Sequence, residues 1–143
     1  MDKYDVLKLD NQICFPLYAA SREVVKRYHP FLSALDLTYT QYIAMMVFWE
    51  EHSINVKDLG KRLYLDSGTL TPLLKSLEKK GYITRTRSKK DERVLIAEVT
   101  AEGMALREQC LDIPAKVGGC MEITPEEAAQ LYTLLHKVLG CIQ

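Results

Sequence analysis

Cysteine and tyrosine at helical spacing are the residues of this chain best suited to chemistry. Cys14 stands near the start of a run whose apolar positions, Ile13, Leu17, Ala20 and Val24, recur at roughly helical period. The positive end of a helix dipole favours a thiolate, which is the reactive form of cysteine. Tyr18 lies one turn on, at i+4, where its hydroxyl can donate to the sulfur. A thiolate so placed is oxidised by peroxides to a sulfenic acid, which a second thiol can convert to a disulfide. The ordinary alternative is that Cys14 packs as a small apolar residue and does nothing else.

The remaining chemistry is quickly bounded. Cys110, Cys120 and Cys141 are spaced too widely for a zinc ribbon or a C-x-x-C motif, and reduced thiols are the expectation for a cytoplasmic chain. His29, His52 and His136 lack carboxylate or thiolate company at ligand spacing, so no metal site is expected. Neither a Gly-rich phosphate loop nor a hydrolase triad is visible, so no cofactor is expected. A thiol peroxidase would account for Cys14, but the βαβ pattern of a thioredoxin-like fold is missing. The expectation is a chain that is not an enzyme.

The second constellation is basic. The chain carries 19 Lys/Arg against 19 Asp/Glu, yet ten of the cations and only four of the anions fall between Lys61 and Arg93. That stretch therefore holds +6 and the rest −6, a polarity that presents one basic face to phosphates. Within it, Ser67, Gly68, Thr69 and Thr71 are small hydrogen-bonding residues at a helix start, able to approach base edges and phosphates closely. Lys75, Lys79 and Lys80 follow as backbone contacts. Arg85, Arg87, Lys89, Lys90 and Arg93 lie on a hairpin whose tip suits a narrow minor groove. Asp91, two residues before Arg93, can hold its guanidinium by a bidentate pair.

These residues need elements to position them. Asp10 or Asn11 can cap the first helix, which His29-Pro30 interrupts, and Pro16 either kinks it after Cys14 or delays its start. Thr38 and Gln41 form a capping box for an apolar helix, Asn55 starts a short one, and Asp66 or Ser67 caps a helix that stops at Gly81. Ile83–Arg87 and Val94–Val99 read as a hairpin. Thr100 begins a further helix that Pro114 bends, and Thr124-Pro125-Glu126-Glu127 opens the last, which runs to about Gly140. The fold expected is mainly α with a small β-hairpin wing: a winged helix-turn-helix between N- and C-terminal dimerisation helices. The whole chain, 1–143, forms one domain, with 1–37 and 101–143 as dimerisation helices, 38–100 as the DNA-binding lobe and the wing at about 83–99. A two-fold dimer supplies the paired contacts that one recognition helix lacks. No apolar run reaches the roughly 20 residues of a membrane span, and the charged N-terminus lacks a signal-peptide core, so a cytoplasmic protein with no membrane partner is expected.

The stretches Val56-Lys57-Asp58-Leu59-Gly60, Leu65–Lys75 and Asp91-Glu92-Arg93 resemble the DNA-binding core of the MarR family. Gln12–Arg22 resembles its organic-hydroperoxide-responsive repressors. The resemblance implies a homodimer on a pseudo-palindromic duplex, with Arg93 as the minor-groove arginine and Asp91 as its orienting partner. It implies sensing of organic hydroperoxide or another thiol oxidant at Cys14, with Tyr28 and Tyr39 reaching that cysteine in part from the opposite subunit. Cys120 of the partner subunit is the implied resolving cysteine, a low-molecular-weight thiol being the alternative. Where similar repressors have an arginine after the recognition-helix lysine, this chain has Ser76. A family member induced by an aromatic ligand lined by Tyr18, Tyr28 and Tyr39, with Cys14 structural, is the rival reading.

Overall fold

The computed structural model describes residues 1–142, with side chains to Cys141, so the expected dimerisation segment 101–143 ends on a residue outside the described ones. Two short 3-10 turns lead into α1 (Cys14–Ser33), followed by α2 (Tyr39–Glu51), β1 (Ser53–Asn55), α3 (Val56–Leu63) and α4 (Ser67–Lys79). Strands β2 (Ile83–Arg87) and β3 (Leu95–Val99) form the hairpin, and α5 (Ala101–Cys110), α6 (Ile113–Gly118) and α7 (Pro125–Ile142) complete the chain. The chain divides into two compact units, Met1–Ile113 and Pro114–Gln143.

In the first unit α2 is the centre. Tyr42, Ala44, Met45, Val47 and Phe48 are buried along it, and α1, α3, α4 and α5 all pack on it. Leu32, Leu59, Leu74, Leu77 and Ile83 close the core around these side chains. Its start is fixed locally: Gln41 N–H donates to Thr38 Oγ1 and Thr38 N–H donates to Gln41 Oε1, the complete capping box. Asn55 and Asp66 cap α3 and α4 through Lys57 and Thr69 N–H, and Thr100 caps α5 through Gly103 N–H. The sheet is antiparallel in the order β1-β3-β2, with Ala97 opposite both Ile54 and Arg85. In the second unit Thr124 and Glu127 form a capping box at the start of α7.

Four elements differ from expectation. Helix α1 begins at Cys14 with no side-chain cap, while Asp10 and Asn11 lie in the preceding turn. Pro16 falls in the first helical turn, where its absent N–H has no partner to lose, so it neither kinks nor delays the helix. Helix α1 passes through Pro30 and ends at Ser33, losing one internal bond there. The expected bend at Pro114 is a break: α5 ends at Cys110 and a separate helix starts at Ile113. The three-residue β1 was not expected; it is too short for a period-2 signal and exists because β3 offers it an edge.

Gly81 has φ +84°, the left-handed turn that ends α4 and admits β2. Gly103 is constrained by space instead. A Cβ there would fall on the Tyr82 carbonyl oxygen and within 2.7 Å of Val99 Cγ2. Alanine improves helix propensity by about 1 kcal/mol, but overpacking at rigid neighbours costs about 1–3 kcal/mol. G103A is therefore expected to lower the unfolding free energy in urea titration; a variant at or above wild-type stability would show that α5 can draw away from the sheet freely.

Candidate nucleic-acid interface and thiol site

Helix α4 is two-faced because of where its leucines fall. Leu70, Leu73, Leu74 and Leu77 are buried against the core, leaving Ser67, Gly68, Thr69, Thr71 and Lys75 exposed on the opposite side. Asp66 accepts from Thr69 N–H at 2.7 Å, and this bond holds its carboxyl below the ordinary range. Tyr64 adopts the left-handed conformation (φ 56°) that turns α3 into α4. The result is a helix-turn-helix whose second helix presents small polar groups outward from its N-terminal half.

The hairpin stands beside it. Ser88 N–H donates to the Val94 carbonyl at 2.8 Å and closes the tip over Lys89, Lys90 and Glu92, all exposed. Arg93 donates to both carboxylate oxygens of Asp91, Nε to Oδ1 at 3.1 Å and Nη2 to Oδ2 at 3.3 Å, while its side chain remains 90% exposed. The Arg93 guanidinium holds the Asp91 carboxyl below the usual carboxylate range, so the pair stays ionised at neutral pH.

Two expected backbone contacts are used otherwise. Arg85 is clamped by Glu78: its Nη2 donates to Oε1 at 3.1 Å, and its backbone N–H and Nε donate to Oε2. Its side chain is only 18% exposed, so Arg85 ties β2 to α4 rather than reaching outward. Lys80 is turned inward too, donating to the Asp36 carbonyl and, at 3.1 Å, to Gln41 Oε1. Ser76 accepts from Gln41 Nε2 at 3.0 Å and so faces α2. Sequence reasoning missed Glu78 and this inward use of Lys80. The capping box marked Gln41, but not its partners 35 and 39 residues away.

Cys14 is exposed at the first residue of α1 and makes no hydrogen bond among the described residues. Tyr18 Oη accepts from Arg22 Nη1 at 2.8 Å, with the guanidinium 5.5 Å from the ring centroid, instead of donating to the sulfur. Tyr28 and Tyr39 are brought together, ring centroids 4.9 Å apart, and Tyr42 completes a cluster at 5.6 and 6.3 Å. Burial pushes all three phenols up, Tyr42 to about 12, with neighbouring phenols adding for Tyr39 and Tyr42. They are protonated donors at neutral pH. Cys120 is exposed and its Sγ donates to the Lys116 carbonyl at 3.5 Å; Cys110 is buried, and burial raises its thiol. A cleft of about 500 Å³ borders Tyr39, Gln41 and Lys80, without Tyr18 or Tyr28 in its lining.

Comparison with known proteins decides the family. A family described as transcriptional regulator SarA/Rot matches residues 26–109. An organic hydroperoxide resistance transcriptional regulator of Bacillus subtilis is 46% identical over 138 residues, 96% of this chain and 94% of its own. The chain belongs to the MarR family of transcriptional regulators. The regulator SarZ of Staphylococcus aureus is also 46% identical, over 92% of this chain and 89% of its own. The reduced, DNA-bound form of AbfR of Staphylococcus epidermidis superposes with TM-score 0.80 at 31% identity over 99% of each chain. The winged helix-turn-helix fold is thereby established for this member of the family.

Its outward face yields a measurable expectation. Lys75→Ala, which removes one exposed cation, should reduce the slope of log affinity against log salt by about 1. Asp91→Ala leaves every cation in place and should weaken operator binding through loss of Arg93 orientation, by about 1 kcal/mol or more. Titration of a labelled duplex across ionic strengths checks both; an unchanged slope for Lys75→Ala would remove α4 from the interface.

Proposed function

We propose that this MarR-family member is a homodimeric repressor that holds a pseudo-palindromic operator when reduced and releases it when Cys14 is oxidised by an organic hydroperoxide or related oxidant. The observation that carries the reading is the accessible thiol at the first residue of α1, on the same chain as an outward basic winged lobe. AbfR supports a redox-responsive thiol, since that protein has been solved reduced on DNA, overoxidized on DNA and in a disulfide form, and the disulfide is the form assigned to release here. Exposed apolar side chains on α1 (Phe15, Leu17, Val25) and on α7 (Leu131, Leu134, Val138) are the surfaces assigned to dimerisation. No helix among the described residues is long and apolar enough to cross a membrane, and operator binding places the dimer in the cytoplasm.

The chemistry needs no groups beyond two thiols and the oxidant. The Cys14 thiolate attacks the terminal peroxide oxygen, the O–O bond breaks, and the departing alkoxide takes a proton to leave as an alcohol. Sulfur is oxidised by two electrons and the peroxide is reduced by two. A second thiol then displaces water from the sulfenic acid to form a disulfide; Cys120 of the partner subunit is the assigned resolving group. Tyr18, Tyr28 and Tyr39 are assigned to the sensing site, the last two as neutral donors. Ser67, Gly68, Thr69, Thr71 and Lys75 are assigned to the major groove and its phosphates, with Lys89, Lys90, Asp91 and Arg93 on the wing.

A labelled duplex from the protein's own upstream region, with and without cumene hydroperoxide, tests the reading. Wild type should release on oxidation, and Cys14→Ser should remain bound. Cys120→Ser should stop at the sulfenic acid, detectable by a dimedone-type probe. Peroxide consumption should cease at about one equivalent per subunit, as for a sensor rather than an enzyme. Equal release by wild type and Cys14→Ser would assign induction to another group and return the ligand-induced reading.

A further inference from the structure

Gln41 is the one buried polar side chain of the core among the described residues, 7% exposed, and every polar end of it is used. Its Oε1 accepts from Thr38 N–H at 3.1 Å and from Lys80 Nζ at 3.1 Å; its Nε2 donates to Ser76 Oγ at 3.0 Å. Thr38 belongs to the turn between α1 and α2, whereas Ser76 and Lys80 are one turn apart at the C-terminal end of the recognition helix. Lys80 also donates to the Asp36 carbonyl in that turn and pairs with its carboxylate at 3.6 Å. One amide thus joins the turn to the helix that carries the outward polar face. It does so between two members of the phenol cluster, Tyr39 two residues before it and Tyr42 directly after.

We propose that Gln41 is the positioning residue that couples the phenol cluster, assigned to the sensing site under the proposed function, to the recognition helix. Any shift of Tyr39 or of the first turn of α2 moves the Gln41 amide. Because its partners are directional and partly buried, Ser76 and Lys80 must follow or lose their bonds. The apolar contacts of α4 through Leu73 and Leu77 lack that directionality and tolerate sliding. The link also gives Ser76, the position where the resemblance leads one to expect arginine, a role facing inward. This inference rests on the thiol reading of the function.

The test uses the full-length dimer and the labelled operator, reading the ratio of dissociation constants for peroxide-treated and reduced protein. Ser76→Ala removes one link and leaves the capping box, Lys80 and the outward face intact; Ser76→Thr restores the hydroxyl. Gln41→Met removes all of the amide's bonds at similar volume. The oxidation ratio should fall about five- to tenfold in Ser76→Ala, the weight of roughly one net hydrogen bond. It should return to the wild-type value in Ser76→Thr and fall at least as far in Gln41→Met. The extent of sulfenic acid formation at Cys14 should be unchanged, a readout that separates transmission from sensing. A merely structural role would lower thermal stability while leaving the ratio as in wild type, and that result overturns the proposal. If Gln41→Met fails to fold, the Ser76 pair decides alone. A wild type that ignores peroxide would overturn the thiol reading and this proposal with it, whereas full release by both wild type and Ser76→Ala would overturn only the latter.

Discussion

Six of the thirteen side chains of α2 are buried, so the helix has almost no face of its own to give to water. Such a helix is stable only inside a shell, and the elements of the shell take their positions from it. Helix α4 is held by the leucine side, α5 by the Trp49 indole donating to the Gly103 carbonyl at 2.8 Å, and α1 by the phenol cluster. Thr100 then bonds the Gly81 carbonyl, where α4 ends, tying the start of α5 to the recognition helix. The recognition helix, the wing base and the phenol cluster therefore share one reference body. An element that moves relative to α2 must break named polar contacts, which gives the lobe discrete arrangements rather than a continuum.

Electrostatics follow the same division. The +6 carried between Lys61 and Arg93 exceeds what phosphates can meet, because several cations are already engaged. Arg85 belongs to Glu78, Arg62 bridges Glu50 and Glu51, and Lys80 belongs to Gln41 and Asp36. Lys61, Lys75, Lys79, Arg87, Lys89, Lys90 and Arg93 remain exposed in this stretch, and the charge proposed to meet phosphates is drawn from them. An ion pair as exposed as Asp91–Arg93 contributes little to stability. Its value is orientation: it removes rotamer freedom from a long side chain before any groove is met.

The sequence was legible wherever the signal was local. Capping at Thr38, Asn55, Asp66, Thr100 and Thr124, the Gly81 stop and both hairpin strands could be read because each depends on residues within a few positions. The start of α1 could not, since Cys14 has no capping side chain and the helix there is set by the turns before it. Pro30 misled because a single lost bond near a helix end is outweighed by packing of Leu32. The contacts that redefine the candidate site all span long separations: Gln41 to Ser76 and Lys80, and Trp49 to Gly103. Residue type announces that glutamine and lysine can bond, but only the packed fold determines with whom. Arg85 is the instructive middle case, seven residues from Glu78 and readable in principle, yet hidden because the two lie on different kinds of element.

Sensing and recognition impose opposite demands, and the fold separates them. The thiol proposed to meet a hydroperoxide must be accessible, and Cys14 is exposed at the start of α1. A helix that reads base edges must be held rigidly, and α4 is anchored on one whole face. Tyr28 on α1 and Tyr39 and Tyr42 on α2 are tilted against one another, with Tyr42 Oη buried and without a hydrogen-bond partner among the described residues. An orphaned buried hydroxyl costs about 1–3 kcal/mol, and phenylalanine would fill the same space without it. The cluster is therefore not what stability alone would select. It is a group of neutral phenols, one of them unsatisfied, at the seam between α1 and α2. That unsatisfied hydroxyl makes the α1–α2 seam the least settled part of an otherwise satisfied core among the described residues, and a small rearrangement there can gain a hydrogen bond rather than lose one.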